Sequence, residues 1–219
     1  MAALFPRWVN VFARAVLIAL LCLVVGVPLG LMAWVRGPNV TAEASPVAQP
    51  IPFDHVVHAH DLQINCEYCH ATVMKTASAG LPPTQTCMPC HSQTWQNSAI
   101  FEPVRASLTS GRPLQWNRVN ALPDFVYFNH AIHVAKGVGC ETCHGRIDQM
   151  HIVHQAQPLT MGWCVRCHRD PAPNLRPLDQ VTTMGWRPKV SQVSRVALGR
   201  ELMQRNHVKA PTDCSTCHR

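Results

Sequence analysis

Five times along this chain two cysteines stand three positions apart with a histidine directly after the second: Cys66-Cys69-His70, Cys87-Cys90-His91, Cys140-Cys143-His144, Cys164-Cys167-His168 and Cys214-Cys217-His218. Ten of the eleven cysteines are used in this way, and only Cys22 stands apart. Two thiols at this spacing reach the two vinyl groups of one porphyrin and close thioether links, and the next residue brings an imidazole under the iron. Structural zinc needs no histidine after every second cysteine. A redox dithiol occurs once rather than five times, and a disulfide framework does not repeat one spacing. The motifs therefore predict five covalently attached haems c, with His70, His91, His144, His168 and His218 as proximal ligands.

A haem iron has one further axial position, and its occupant decides between electron transfer and ligand chemistry. Eight histidines lie outside the motifs. Phe53-Asp-His55-Val-Val-His58 and Phe128-Asn-His130-Ala-Ile-His133 share one pattern, so His55, His58, His130 and His133 are candidate distal ligands. His207 joins them because it precedes Cys214 by the same seven residues that separate His133 from Cys140. His60, His151, His154 and Met161 are alternatives for the fifth iron. A methionine there would raise the potential of that haem above its bis-histidine neighbours.

These residues recur in a fixed order. Each unit has the phenylalanine–histidine pattern, one Cys-x-x-Cys-His, a gap and a second Cys-x-x-Cys-His, which argues for a duplicated two-haem module. The expected divisions are an anchor at 1–36, an extended linker at 37–52, two-haem modules at 53–125 and 126–175, and a one-haem segment at 176–219. In the last, Val190, Val193, Val196 and Leu202 predict a helix over 190–206. Thr-Met-Gly-Trp stands at both 160–163 and 183–186.

Ala15 to Val35 contains no charged residue. That length crosses a bilayer as a helix. Arg7 and Arg14 before it, against Arg36 after it, favour a cytoplasmic N-terminus. The stretch exceeds an ordinary secretory h-region and reads as a retained signal anchor, with the motifs on the periplasmic face of a bacterial cytoplasmic membrane.

Aromatic residues make up 6% of the chain and charged residues 14%, with 18 prolines, too little for a large side-chain core or long regular elements. The expected fold is mainly irregular and α, with short helices around five haems and one N-terminal transmembrane helix. Porphyrins supply the apolar interior, so haem-free chain should be largely unfolded outside the membrane. The formal charge of +7 offsets ten haem propionates and leaves the oxidised holoprotein at about +2. With no run of basic residues, nucleic acid is not an expected partner. Asp54, Glu67 and Glu141 are candidates to tune potentials or bond imidazole N–H groups. Lys75, Arg146 and Arg166 are candidate propionate partners.

The histidine pattern ahead of paired haem motifs resembles the class III type of multihaem cytochrome c. A closer resemblance is to the pentahaem subunit of alternative complex III, a bacterial quinol-oxidising complex. It is carried by the five motifs, the anchor, the string Leu122-Pro-Asp-Phe-Val-Tyr-Phe-Asn-His130 and the string Leu159-Thr-Met-Gly-Trp-Cys-Val-Arg-Cys-His168-Arg169. Members of that family often carry histidine where this chain has Asn120. The resemblance implies an electron-transfer subunit that is not catalytic alone. Its implied partners are an iron–sulfur, molybdoenzyme-like subunit, quinol-oxidising integral membrane subunits, a monohaem cytochrome c subunit and a soluble electron acceptor.

Two other classes compete with this one. An anchored multihaem quinol dehydrogenase feeding a periplasmic reductase would need its first haem at the membrane, and here about thirty residues separate Val35 from Cys66. A multihaem reductase of a small oxyanion needs an open iron site, whereas every motif ends in histidine and further histidines abound.

Overall fold

In the computed structural model, which describes residues 6–189 and 192–218, the N-terminal unit is a helix. Trp8–Val35 spans 28 residues at a mean hydropathy of 2.8 with its side chains outward, long and apolar enough to cross a membrane. It begins earlier than the uncharged stretch and includes Arg14. Its middle, Cys22–Gly26, widens into a π turn just before Pro28. Proline has no N–H for the carbonyl four residues back and its ring crowds that carbonyl, so the wider turn relieves the clash while the helix continues.

The second unit covers residues 44–219. Its longer helices are Glu102–Ser110, Met161–Arg169 and Gln192–Arg205, joined by single helical turns and loops. Among the described residues there is no strand, only isolated bridges such as Val126 with His218. Buried apolar side chains gather in two small clusters, Ile51 with Phe101 and Val104, and Val73 with Val134 and Val181, while others such as Leu175 and Leu202 are buried apart from them. A side-chain core this slight matches the composition.

The predicted C-terminal helix is present as Gln192–Arg205, with Leu202 buried; Val190 lies outside the described residues. It packs on the turn Ala172–Asn174 at Gly199, where a Cβ would come within 2.0 Å of the Ala172 carbonyl oxygen. Its end is a Schellman motif. Val208 N–H donates to Met203 O at 2.8 Å and His207 N–H to Gln204 O at 3.2 Å, with His207 in the left-handed region at φ 49°. The helix His130–Ala135 ends in the same way, Val138 N–H donating to His133 O and Gly137 N–H to Val134 O, with Gly137 at φ 89°. The two ends are clasped together: Lys136 Nζ donates to Asn206 O at 2.8 Å.

Hydrogen bonds tie these sequence segments to one another. Within the expected linker 37–52, Pro38–Thr41 is a helical turn, and the following residues are docked rather than free. Ala44 N–H donates to Gln155 O, Val47 N–H to Val153 O, and Gln49 pairs with Asn117. Small residues and prolines suit an extended strap as well as a tether, and hydrogen bonds to distant backbone decide which. The segments 53–125, 126–175 and 176–219 also interlock. Cys140 N–H donates to Val181 O, and Cys66 Sγ lies 3.9 Å from Thr182 O.

Candidate haem-binding sites

Each Cys-x-x-Cys occupies about one helical turn, which puts positions i and i+3 on one side. Cys66–Cys69 is capped by Asn65, whose side chain accepts from Glu67 N–H. Cys214–Cys217 is capped by Asp213, which accepts from Thr216 N–H. Cys140–His144 and Met161–Arg169 carry the third and fourth motifs. In the second, Cys87 ends a 3-10 turn and Cys90 with His91 lies on Met88–His91. All ten motif thiols are free. Burial raises the thiols of Cys69, Cys87, Cys164 and Cys167 above the ordinary range and pushes Cys143 up to about 12. The Cys140 thiol donates to Cys66, raising Cys140 and lowering Cys66 to about 7.

The phenylalanine–histidine pattern has one geometry in both units. The Phe53 ring centre lies 4.9 Å from His55 and 4.4 Å from His58; Phe128 lies 4.7 Å from His130 and 4.5 Å from His133. The residue after each phenylalanine starts the turn with its side chain. Asp54 Oδ1 accepts from Val56 N–H, and Asn129 Oδ1 from Ile132 N–H. Its backbone oxygen then accepts from the second histidine, at 2.8 Å for His58 and 2.7 Å for His133.

Those histidines face motif histidines. Ring centres are 6.2 Å apart for His58 and His91, 6.4 Å for His130 and His144, and 5.9 Å for His133 and His168. Two imidazoles bound to one metal at about 2 Å each put their ring centres about 6 Å apart. His55 and His70 are also neighbours. Burial, then the positive form of His70, then that of His58, lowers His55 to about 4. Burial, followed by His130, His70 and His55, takes His144 to about 4, so these imidazoles are neutral at physiological pH.

The ring nitrogens agree with this arrangement. Nδ1 of His70 bonds Gly80 O at 2.8 Å, His130 bonds Ala77 O at 2.8 Å, His168 bonds Pro211 O at 2.6 Å and His218 bonds Phe125 O at 3.2 Å. A carbonyl can only accept, so Nδ1 carries the proton and Nε2 keeps its lone pair for a metal.

The remaining candidates stand elsewhere. His151 bonds Asp54 Oδ2 at 2.7 Å, His60 lies 3.7 Å from Asp148, and His154 sits in a bridge with Pro46. Met161 is exposed. His207 shares a spacing with His133 but not a position, since His133 lies inside its helix and His207 is the left-handed residue after one. The ring beside His218 is Phe125, centre to centre 5.8 Å. Arg146 pairs with Asp148. Glu141 binds Arg176 and Gly185 N–H rather than an imidazole. Sequence reasoning missed buried Arg176, whose guanidinium lies against Gly139 beside Cys140, and the carbonyl acceptors, which leave no mark on residue type.

Compared with known proteins, residues 126–219 match the family model described as cytochrome c7 and related cytochrome c. That stretch is similar to a cytochrome c7-type multihaem domain. The match takes in the third, fourth and fifth motifs together with His130, His133 and His207. A relative from Nitratidesulfovibrio vulgaris (Hildenborough), named menaquinone reductase, multiheme cytochrome c subunit, is 37% identical over 99 residues, 44% of this chain. The chain spans about half that relative's length, 45%. Covalently bound haem c is what that match indicates for residues 126–219. The free motif thiols, the ring separations and the available Nε2 atoms all fit it.

Proposed function

We propose that this chain holds five haems c and carries electrons within a membrane complex linked to the quinone pool, of the alternative complex III type. The carrying observation is the set of facing imidazoles about one iron's span apart. Bound haem supplies reversible one-electron chemistry at each site. Four sites take His55 with His70, His58 with His91, His130 with His144 and His133 with His168. The fifth takes His218, with His207 as its distal candidate by spacing. Facing histidines favour electron transfer over small-molecule reduction.

Protein contacts support one order for the sites. His55 and His58 share Phe53, so the first and second sites adjoin; His130 and His133 share Phe128, so the third and fourth adjoin. Val181 and Thr182, consecutive in the chain, hold Cys140 and Cys66, and so the first site adjoins the third. His168 is bonded to Pro211, three residues before Cys214, which supports the fourth site lying beside the fifth. The resulting order is second, first, third, fourth, fifth.

The apolar helix Trp8–Val35 supports a single-pass anchor with the haem unit on the periplasmic side of a bacterial cytoplasmic membrane. An iron–sulfur subunit, quinol-oxidising membrane subunits and a monohaem cytochrome c are the proposed partners, with a soluble acceptor beyond. The name of the N. vulgaris relative favours a second reading, flow toward menaquinone. Purifying the intact complex and following its haems after adding quinol or a reduced periplasmic carrier separates the two. Reduction by quinol supports quinol oxidation. Reduction by the carrier alone, with quinone then reoxidising the haems, supports the second.

A further inference from the structure

The imidazole of His144 differs from its neighbours in what its Nδ1 meets. Six others (His58, His70, His130, His133, His168 and His218) are bonded to backbone carbonyls. His144 Nδ1 instead lies 3.1 Å from the side-chain amide of Asn120. As oriented, Nδ2 of that amide points at the ring, while Oδ1 is enclosed without a partner.

The two ends of an amide have nearly the same shape, and hydrogen bonding decides which faces a given neighbour. An amide N–H pointing at Nδ1 needs a lone pair there, which places the imidazole proton on Nε2 and blocks a metal. With iron on Nε2 the proton sits on Nδ1, and only Oδ1 can receive it. The ring of His130 lies opposite at 6.4 Å and within 6° of parallel, which fits iron on that side. With iron held there the amide would be turned over, its NH2 in the enclosed position that Oδ1 now holds.

We propose that Asn120 is a positioning residue for the third haem site, accepting the Nδ1 proton of His144 through Oδ1. It fixes the ring plane, and by drawing on that proton it raises the basicity of Nε2, stabilises ferric iron and lowers the potential there. Unlike the carbonyl acceptors of those six rings, this one can be altered by substitution. The third site stands in the middle of the proposed order, so its potential sets the step between the two halves. The inference rests on the haem reading above.

The test uses the full chain with its haems, in the purified complex. Haem content is measured first, then the separate reduction steps by potentiometry with electron paramagnetic resonance. Asn120→Leu removes the acceptor and should raise one potential, altering the low-spin signal of one ferric centre. Asn120→Asp keeps the shape, strengthens the acceptor and should lower that same potential. Should Asn120→Leu not assemble, Asn120→Asp alone still reads the downward shift at one centre. Unchanged potentials, shifts of both variants in one direction, or equal shifts at every haem would overturn the proposal. Wild-type chain with fewer than five haems would instead sink the haem reading, and this proposal with it.

Discussion

His133 and His168 face each other with ring centres 5.9 Å apart, and each donates its Nδ1 proton to a backbone carbonyl, Asn129 O for His133 and Pro211 O for His168. Replacing His133 with alanine removes one side of this pair and leaves the thioether cysteines untouched. Five haems should remain attached, with one low-spin ferric centre converted to high-spin. His58→Ala should do the same at the second site, through His91. Electron paramagnetic resonance of the oxidised variants checks both, and an unchanged low-spin count would remove these residues from the ligand set.

Site order has a consequence for potentials. Charged neighbours influence one another most at short range, so deleting an end site disturbs one neighbour and deleting a middle site disturbs two. Replacing Cys87 and Cys90 with alanine should remove one haem and shift the potential of the first site. Replacing Cys140 and Cys143 should shift both the first and the fourth. Potentiometric titration of each variant distinguishes this order from one following the sequence, in which the second site would have two neighbours.

Gly199 sets two effects against each other. Glycine to alanine inside a helix stabilises by about 1 kcal/mol through propensity. Here the new Cβ would meet the Ala172 carbonyl oxygen at 2.0 Å, and overpacking of this kind costs roughly 1–3 kcal/mol. Backbone cannot step aside as a side-chain tip can, so the clash wins. Gly199→Ala should lower the thermal midpoint of the haem unit; a raised midpoint would mean that the helix does not lie against the Ala172–Asn174 turn.

Arg146 holds the Asp148 carboxyl below its ordinary range, through bonds of 2.8 Å and 2.6 Å. Unfolded chain then binds the proton more readily than folded chain. This contribution is complete above the ordinary carboxylate value of about 4 and fades as pH falls through the lower folded value. Asp148→Asn should cost roughly 1–3 kcal/mol at neutral pH, discounted from a fully buried pair because Arg146 is partly exposed. The loss should shrink in acid. Denaturant midpoints at neutral and acid pH provide the check, and an equal loss at both would refute it.

Much of the candidate site was legible because its chemistry depends on covalent spacing. Cys-x-x-Cys-His fixes two sulfurs and an imidazole within one turn, and the phenylalanine–histidine pattern recurs with nearly the same ring distances in both units. The apolar helix was legible from length and hydropathy. What was not legible depends on distant contacts. The strap at 44–51 is held by bonds to residues more than sixty positions away, and nothing in its composition announces them. His207 shows the limit of spacing, for the seven residues before Cys214 run from a helix end, whereas those before Cys140 run from inside a helix. The imidazole acceptors at Ala77, Gly80 and Pro211 are backbone atoms, available at any residue. Asn120 stood out in the sequence only as a departure from related chains, and its contact with His144 required the fold.

The most direct measurement is the mass of the intact chain, purified from its membrane and denatured so that only covalent groups remain. The expected mass is that of the polypeptide plus five haems. Variants lacking one cysteine pair should each be lighter by one haem. A mass equal to the bare polypeptide, or to fewer haems with motif thiols open to alkylation, would contradict it.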